Sequence, residues 1–334
     1  MKIAVDAMGG DHAPAVVVAG AVAASRELGT QIVLVGPEAR VRAELVRHRA
    51  DGSGIEIADA PEVIEMHESP AMALRRKRRA SISVAVELIR DGRADAVVSA
   101  GHTGAAMGAA LLGLGRISGV DRPAIAAVLP TLATTPVILL DVGANVDCRP
   151  HHLQQFALMG SVYANRVLGI AAPRIGVLSN GSEEGKGNDL TNATSQLLRA
   201  SPGLQFVGNV EARDIFSAVA DVVVCDGFVG NVILKTCEGL GAAIAKDLGQ
   251  RLAAHLPVEV ATSIAREVFS RVSVMDNAGG PILGVNGVVI VGHGRARSPM
   301  VRAAIQTAAF VQQRGLVEAI RRELAAIHGD RSAG

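Results

Sequence analysis

MKIAVDAMGGDHAP (residues 1–14) moves from an apolar run, Ile3-Ala4-Val5, through Asp6 to Gly9, Gly10, Asp11, His12 and a proline. A short buried strand that ends in glycines and ionisable groups is either a structural turn or the rim of a site. The pattern recurs. Strand-like runs rich in Val and Ile stand at 31–36, 55–59, 94–101, 124–130, 136–143, 174–181, 204–210 and 220–227, with Ala/Leu-rich helical stretches between most of them. Such alternation predicts βαβ units and a mostly parallel sheet. In a sheet of this kind ligands bind beyond the carboxyl ends of the strands. DAMGGDH, SAGHTGA, LDVGAN, LSNGSEEGKGND, GNVEARD and CDGFVGN all follow strand-like runs. Six polar, mostly glycine-bearing loops on one rim make the site reading of the first loop the better one. No internal repeat and no Pro/Ser-rich linker interrupts the chain, which reads as one continuous α/β domain over residues 1–334.

Composition narrows the function. Hydrophobic residues make up 49% of the chain and aromatic ones 2%, so Ala, Val, Leu and Ile must build the core. A formal net charge of +1 and the shortage of aromatic rings argue against nucleic acid as a partner. Cys148, Cys225 and Cys237 fit neither a disulfide framework nor a CxxC metal site, which points to a reducing cytoplasm. The strand beginning at residue 2 leaves no room for a signal peptide, and the apolar stretch 15–24 is too short to span a bilayer. GxSxG, HExxH and a dinucleotide-type GxGxxG are all missing, which weighs against serine hydrolases, zinc peptidases and dinucleotide oxidoreductases. Neither a metal nor a cofactor is expected.

The loops suggest an anion. SNGSEEGKGND (179–189) holds Gly181, Gly185, Lys186, Gly187 and Asn188, so that backbone amides and one ammonium group surround a turn. Its spacing is one residue short of a Walker A loop, and Gly187 replaces the magnesium-binding hydroxyl, which favours phosphate without a nucleoside triphosphate. Taken alone, this loop reads better as a solvated turn. In SAGHTGAAMG, Thr103 is placed as a helix cap and His102 as a hydrogen-bond donor or a structural histidine. Asp141 ends a very apolar strand and needs hydrogen-bond donors there, while Asn145 can donate to an oxygen that gains charge. After Asp226, Asn231 and Lys235 fall four residues apart on one helix face, either as a phosphate pair or as a capping Asn with an exposed Lys. Cys148 near His151 and His152 is better read as a small buried thiol than as a nucleophile.

Two segments read as contact surfaces. Arg75, Arg76, Lys77, Arg78 and Arg79 form an uninterrupted basic run, either a solvated face or a dock for an acidic protein. Residues 235–271 read as a helical hairpin broken at Leu256-Pro257-Val258. Its apolar stripe of Leu248, Leu252, Leu256, Val260, Ile264 and Val268 suits a core, a dimer interface or a bilayer surface.

DAMGGDHAP, RRKRRAS, SAGHTGA, LDVGANVDC, EEGKGN, DGFVGNVILK and GGPILGVNGVVIVGHG, in this order over residues 1 to about 315, resemble the bacterial phosphate acyltransferases that make acyl-phosphate from acyl-acyl carrier protein. The departures are His102 where the family has Asn, Ala212 where Gly is usual, and the residues before the Glu183-Glu184 pair. The resemblance implies a three-layer α/β/α fold related to isocitrate and isopropylmalate dehydrogenases and to phosphotransacetylases, with the hairpin protruding. It also implies a homodimer at the start of phospholipid synthesis, loosely held at the inner membrane face, with acyl carrier protein and inorganic phosphate as partners. A downstream glycerol-3-phosphate acyltransferase is a further partner on that reading.

Combining the resemblance with the loops gives each residue a role. Lys186, the 181–188 backbone, Asn231 and Lys235 take the phosphate. Asn145 and His102 assist the oxyanion, and Asp141 and Asp6 orient them. Gly9, Gly10, Asp11, His12, Thr103 and Asp226 complete the substrate rim, and the basic run docks the acidic carrier. Two rival readings are a short-chain phosphotransacetylase acting on acyl-CoA and a membrane-associated scaffold without catalysis.

Overall fold

A computed structural model describes residues 1–50, 54–272 and 279–331. The fold is α/β, and the described residues group into two compact units, each assembled from separate stretches of chain. Unit 1 draws on residues 1–126, 162–171 and 276–334, and unit 2 on residues 127–161 and 172–275. No composition shift marks these boundaries in the sequence.

In chain order the strands are β1 (Lys2–Asp6), β2 (Gln31–Gly36), β3 (Glu56–Asp59), β4 (Ala96–Ser99), β5 (Ala124–Leu129), β6 (Val137–Leu140), β7 (Arg174–Ser179), β8 (Gln205–Glu211), β9 (Val222–Val224), β10 (Gly280–Leu283) and β11 (Val288–Val291). In unit 1, β3, β2, β1, β4 and β11 lie side by side and parallel, so that Ile3 faces Ile32 on one side and Ala96 on the other. β10 then runs antiparallel to β11 and to the start of β5. Unit 2 holds β6, β9, β7 and β8 in that order, all parallel. Strands covered on both faces read as continuous apolar runs. Val137, Ile138, Leu139 and Leu140 are accordingly fully buried.

The helices are α1 (Ala15–Leu28), α2 (Glu38–Arg47), α3 (Pro70–Arg76), α4 (Ser81–Arg90), α5 (Thr103–Gly113), α6 (Pro150–Arg166), α7 (Asp189–Arg199), α8 (Gly227–Ala253), α9 (Val258–Val272), α10 (Ser298–Gln313) and α11 (Leu316–Arg331), with a 3₁₀ turn at Ala212–Ser217. Small residues dominate α1, which buries Val17, Val18, Ala21, Val22 and Ala24 and stops at Gly29 in the left-handed region. The hairpin expected at 235–271 is longer than the sequence suggested. α8 begins at Gly227 because Asp226 caps it, its Oδ1 accepting from the Val229 amide at 2.9 Å.

A salt bridge ties the amino ends of the unit 2 strands. The Arg174 guanidinium donates Nε and Nη2 to Asp221 at 3.0 and 2.9 Å, and the Arg174 amide adds a third bond at 2.8 Å. This bidentate geometry fixes β7 beside the residue that precedes β9.

Candidate active site

The carboxyl ends of the strands do form polar loops, and each unit has its own. In unit 1 the β1 and β4 ends meet. Asp6 is buried and accepts from the Ser99 hydroxyl at 2.7 Å and from the Met8 amide at 3.2 Å. Burial pushes its carboxyl above its ordinary value, against hydrogen bonds from Ser81, Ser99, Met8 and Gly9 that pull it down. The two loops touch so closely that a Cβ on Gly9 would lie 2.7 Å from the Gly101 amide nitrogen, which excludes any side chain there. The Asp11 amide donates to the Gly294 carbonyl at 2.8 Å, and the Asp11 and His12 side chains are exposed.

Thr103 is not the cap of α5. His102 is, its Nδ1 accepting from the Gly104 amide at 3.1 Å, while Thr103 is the first helical residue. An imidazole acceptor two residues before an amide does what Ser or Asn does at this position. It also leaves Nε2 to carry the ring proton and act as the donor.

In unit 2 the organising group is Asp141, fully buried at the end of β6. Its Oδ1 accepts from the Gly143 and Ala144 amides at 3.2 and 3.1 Å. Its Oδ2 accepts from the Asn145 amide at 2.7 Å and from Asn145 Nδ2 at 2.9 Å. A buried carboxylate is tolerated only with such compensation. Asn231 donates Nδ2 to the Val142 carbonyl at 3.0 Å, and the Gly227 amide donates to the Asn145 carbonyl at 2.7 Å. Asn231 and Asn145 thus brace the loop after β6 from both sides. Lys235 lies one turn beyond Asn231, as expected, and forms an ion pair with Glu238 at 2.7 Å.

The cleft of unit 2 is about 420 Å³. Its polar lining residues are Ser179, Asn180, Gly187, Asn188, Thr191 and Asp226. Its apolar lining residues include Leu153, Leu178, Leu190, Val229 and Ile233. Asn188 caps α7 through a 3.0 Å bond from the Thr191 amide. Gly187 has φ +104°, and a Cβ on it would lie 2.0 Å from Thr191 Oγ1, so only glycine brings the chain across this helix end. Of the expected phosphate residues, Gly187 and Asn188 line the cleft; Lys186 stands beside them, exposed; Gly181, Gly185, Asn231 and Lys235 are not among the lining residues.

Of the cleft residues that the sequence reading did not place in the site, Ser179 and Cys225 carry polar or ionisable groups that are buried there. Ser179 ends β7 with its Oγ buried and no hydrogen-bond partner among the described residues. Cys225 also lines the cleft, where burial, with the nearby Asp226 and Asp141 charges, pushes its thiol well above its ordinary value. It is a thiol and not a thiolate nucleophile. Cys148 donates to the Asn145 carbonyl at 3.6 Å, in keeping with a structural role.

The basic run does not form one face. Lys77 is half-buried and donates to the Val63 carbonyl at 2.6 Å and to Glu68 at 2.5 Å, and Arg79 pairs with Asp59 at 3.1 Å. Arg75, Arg76 and Arg78 stay exposed.

A family model described as "Fatty acid synthesis protein" matches residues 1–319. A phosphate acyltransferase of Pelotomaculum thermopropionicum is 50% identical over 331 residues, covering 98% of this chain and 96% of the relative. Another from a Cyanothece strain is 51% identical over 312 residues, covering 92% and 90%. The chain belongs to the phosphate acyltransferase family. It is an acyltransferase, as expected. In fold it is similar to a phosphotransacetylase of Streptococcus pyogenes, at 17% identity and TM-score 0.62 over 95% of this chain and 94% of that one. A 4-hydroxythreonine-4-phosphate dehydrogenase of Klebsiella pneumoniae shares the fold at TM-score 0.54 and 15% identity, covering 94% of this chain and 99% of that one. The expected relation to both phosphotransacetylases and dehydrogenases is therefore present in the fold.

Proposed function

We propose that this acyltransferase moves a long-chain fatty acyl group from acyl-acyl carrier protein to inorganic phosphate, giving acyl-phosphate for phospholipid synthesis. The observation that supports this best is the cleft of unit 2, whose lining combines Gly187, Asn188 and Thr191 at the α7 amino end with apolar side chains. A phosphate oxygen attacks the thioester carbonyl carbon. The resulting oxyanion collapses with cleavage of the C–S bond, and the proton of hydrogen phosphate passes to the departing thiolate. Phosphate is already a competent nucleophile at neutral pH, so the protein's task is to position it and to stabilise the oxyanion. Lys186 and the 187–188 backbone hold the phosphate, and Asp141 fixes Asn145 and the loop that follows β6. Comparison of a long-chain acyl-carrier donor with a short acyl-CoA tests the donor. A preference for the carrier supports the reading, and turnover of acyl-CoA alone would favour a short-chain phosphotransacetylase.

The hairpin supports the proposed homodimer and inner-membrane contact. Leu240, Ile244, Val258 and Val260 are 59%, 54%, 64% and 45% exposed, apolar groups that suit a second copy or a bilayer surface. Placement at the membrane would deliver acyl-phosphate to a downstream glycerol-3-phosphate acyltransferase.

A further inference from the structure

Helices α3 and α5 of unit 1 pack side by side and in step. A Cβ on Gly104 would lie 2.9 Å from Pro70 Cγ, and one on Gly108 would lie 2.5 Å from Leu74 Cδ1. Both contacts join residues 34 positions apart (104 − 70 and 108 − 74), so the helices run in the same direction with one fixed offset. Gly104, Gly108 and Leu112 follow one another at intervals of four and share a stripe of α5. The offset pairs Leu112 with residue 78, but α3 has already ended at Arg76. The stripe that Pro70 and Leu74 cover is therefore left open at Leu112, which is 77% exposed.

The end of α3 brings charge to this spot. Lys77 and Arg79 are spent on Glu68 and Asp59. No hydrogen bond or ion pair engages the exposed guanidinium groups of Arg75, Arg76 or Arg78 among the described residues. An uncovered leucine on α5 and three arginines at the end of the neighbouring α3, unengaged among the described residues, suit a protein surface that offers carboxylates around an apolar residue. An exposed apolar contact ringed by charge is a common anchor of protein interfaces.

We propose that Leu112, with Arg75, Arg76 and Arg78, forms the docking surface for the acidic carrier protein that brings the acyl group. This rests on the donor proposed above. It differs from docking on the whole basic run, because Lys77 and Arg79 are engaged by Glu68 and Asp59 and the apolar anchor comes from another helix.

The test uses the full chain with Leu112→Glu and, separately, the triple change of Arg75, Arg76 and Arg78 to Glu. All four positions are exposed, and circular dichroism checks folding. Binding of fluorescently labelled acyl carrier protein is followed by anisotropy, and turnover is measured with one acyl group on the carrier and on coenzyme A. The expected result is a loss of carrier affinity of about ten-fold or more in each variant, with unchanged kcat/KM for the coenzyme A thioester. Binding by the unaltered protein should weaken with added salt. Unchanged carrier binding, or equal losses with both donors, would overturn the proposal. So would variants that lose binding to anionic vesicles while keeping the carrier. If the unaltered protein transfers no acyl group to phosphate, the functional reading fails, but the anisotropy still decides the docking surface.

Discussion

Asp141 holds Asn145 twice through one oxygen, accepting from its backbone amide at 2.7 Å and its side-chain amide at 2.9 Å. The loop after β6 is thereby fixed in a position that the Asn231 side chain and the Gly227 amide then brace. Asp141→Asn replaces an acceptor by an NH₂ group facing backbone amides. Hydrogen bonds to a charged group contribute about 1.5–3 kcal/mol each, so a loss of about 3 kcal/mol is expected, read as a lower denaturant midpoint at unchanged m-value. An unaltered midpoint would remove Asp141 as the organiser of this loop.

Lys186 is exposed, and its replacement should not affect folding. Lys186→Ala is expected to raise the KM for inorganic phosphate about ten-fold, or about 1.4 kcal/mol, with a smaller change in the KM for the acyl donor. Equal KM values for phosphate in the two proteins would exclude the 181–188 loop as the phosphate site.

Ser179→Ala separates stability from function. Removal of a buried hydroxyl without a partner should leave the protein as stable as before or more stable by about 1 kcal/mol. If the hydroxyl is retained to meet substrate, kcat/KM falls in the same variant. A stability loss with intact turnover would show that Ser179 is structural.

Asp6 gives a pH dependence of known sign. Its carboxyl is raised in the folded protein, so between its unfolded and folded values the native state binds more protons than the unfolded one. Its contribution therefore favours folding at low pH and weakens as pH rises through that window, then stays constant above it. Asp6→Asn, which keeps an oxygen for the Ser99 hydroxyl, should flatten the stability profile in this window. A profile unchanged by the substitution would contradict burial as the cause.

The parallel strands and their polar carboxyl ends were legible in the sequence because β-branched runs and glycine-rich loops are local signals. What escaped depends on contacts between distant residues. Nothing in RRKRR says that Lys77 turns inward to Glu68, or that α3 stops short of Leu112. His102 as a cap was hidden because imidazole is an unusual residue for that role, whereas the threonine beside it is a common one. Ser179 belongs to no motif; only its burial at the end of β7 distinguishes it. The β10–β11 pair also lies outside the strand runs read from the sequence, its strands being four residues each.

Transfer to phosphate is read most directly as release of free carrier thiol from palmitoyl-acyl carrier protein by the purified protein, with and without inorganic phosphate, with hydroxylamine present to trap acyl-phosphate and the release seen without the protein subtracted. The expected result is thiol release that depends on phosphate and equals the hydroxamate formed. Release that is independent of phosphate, or no release at all, would contradict it.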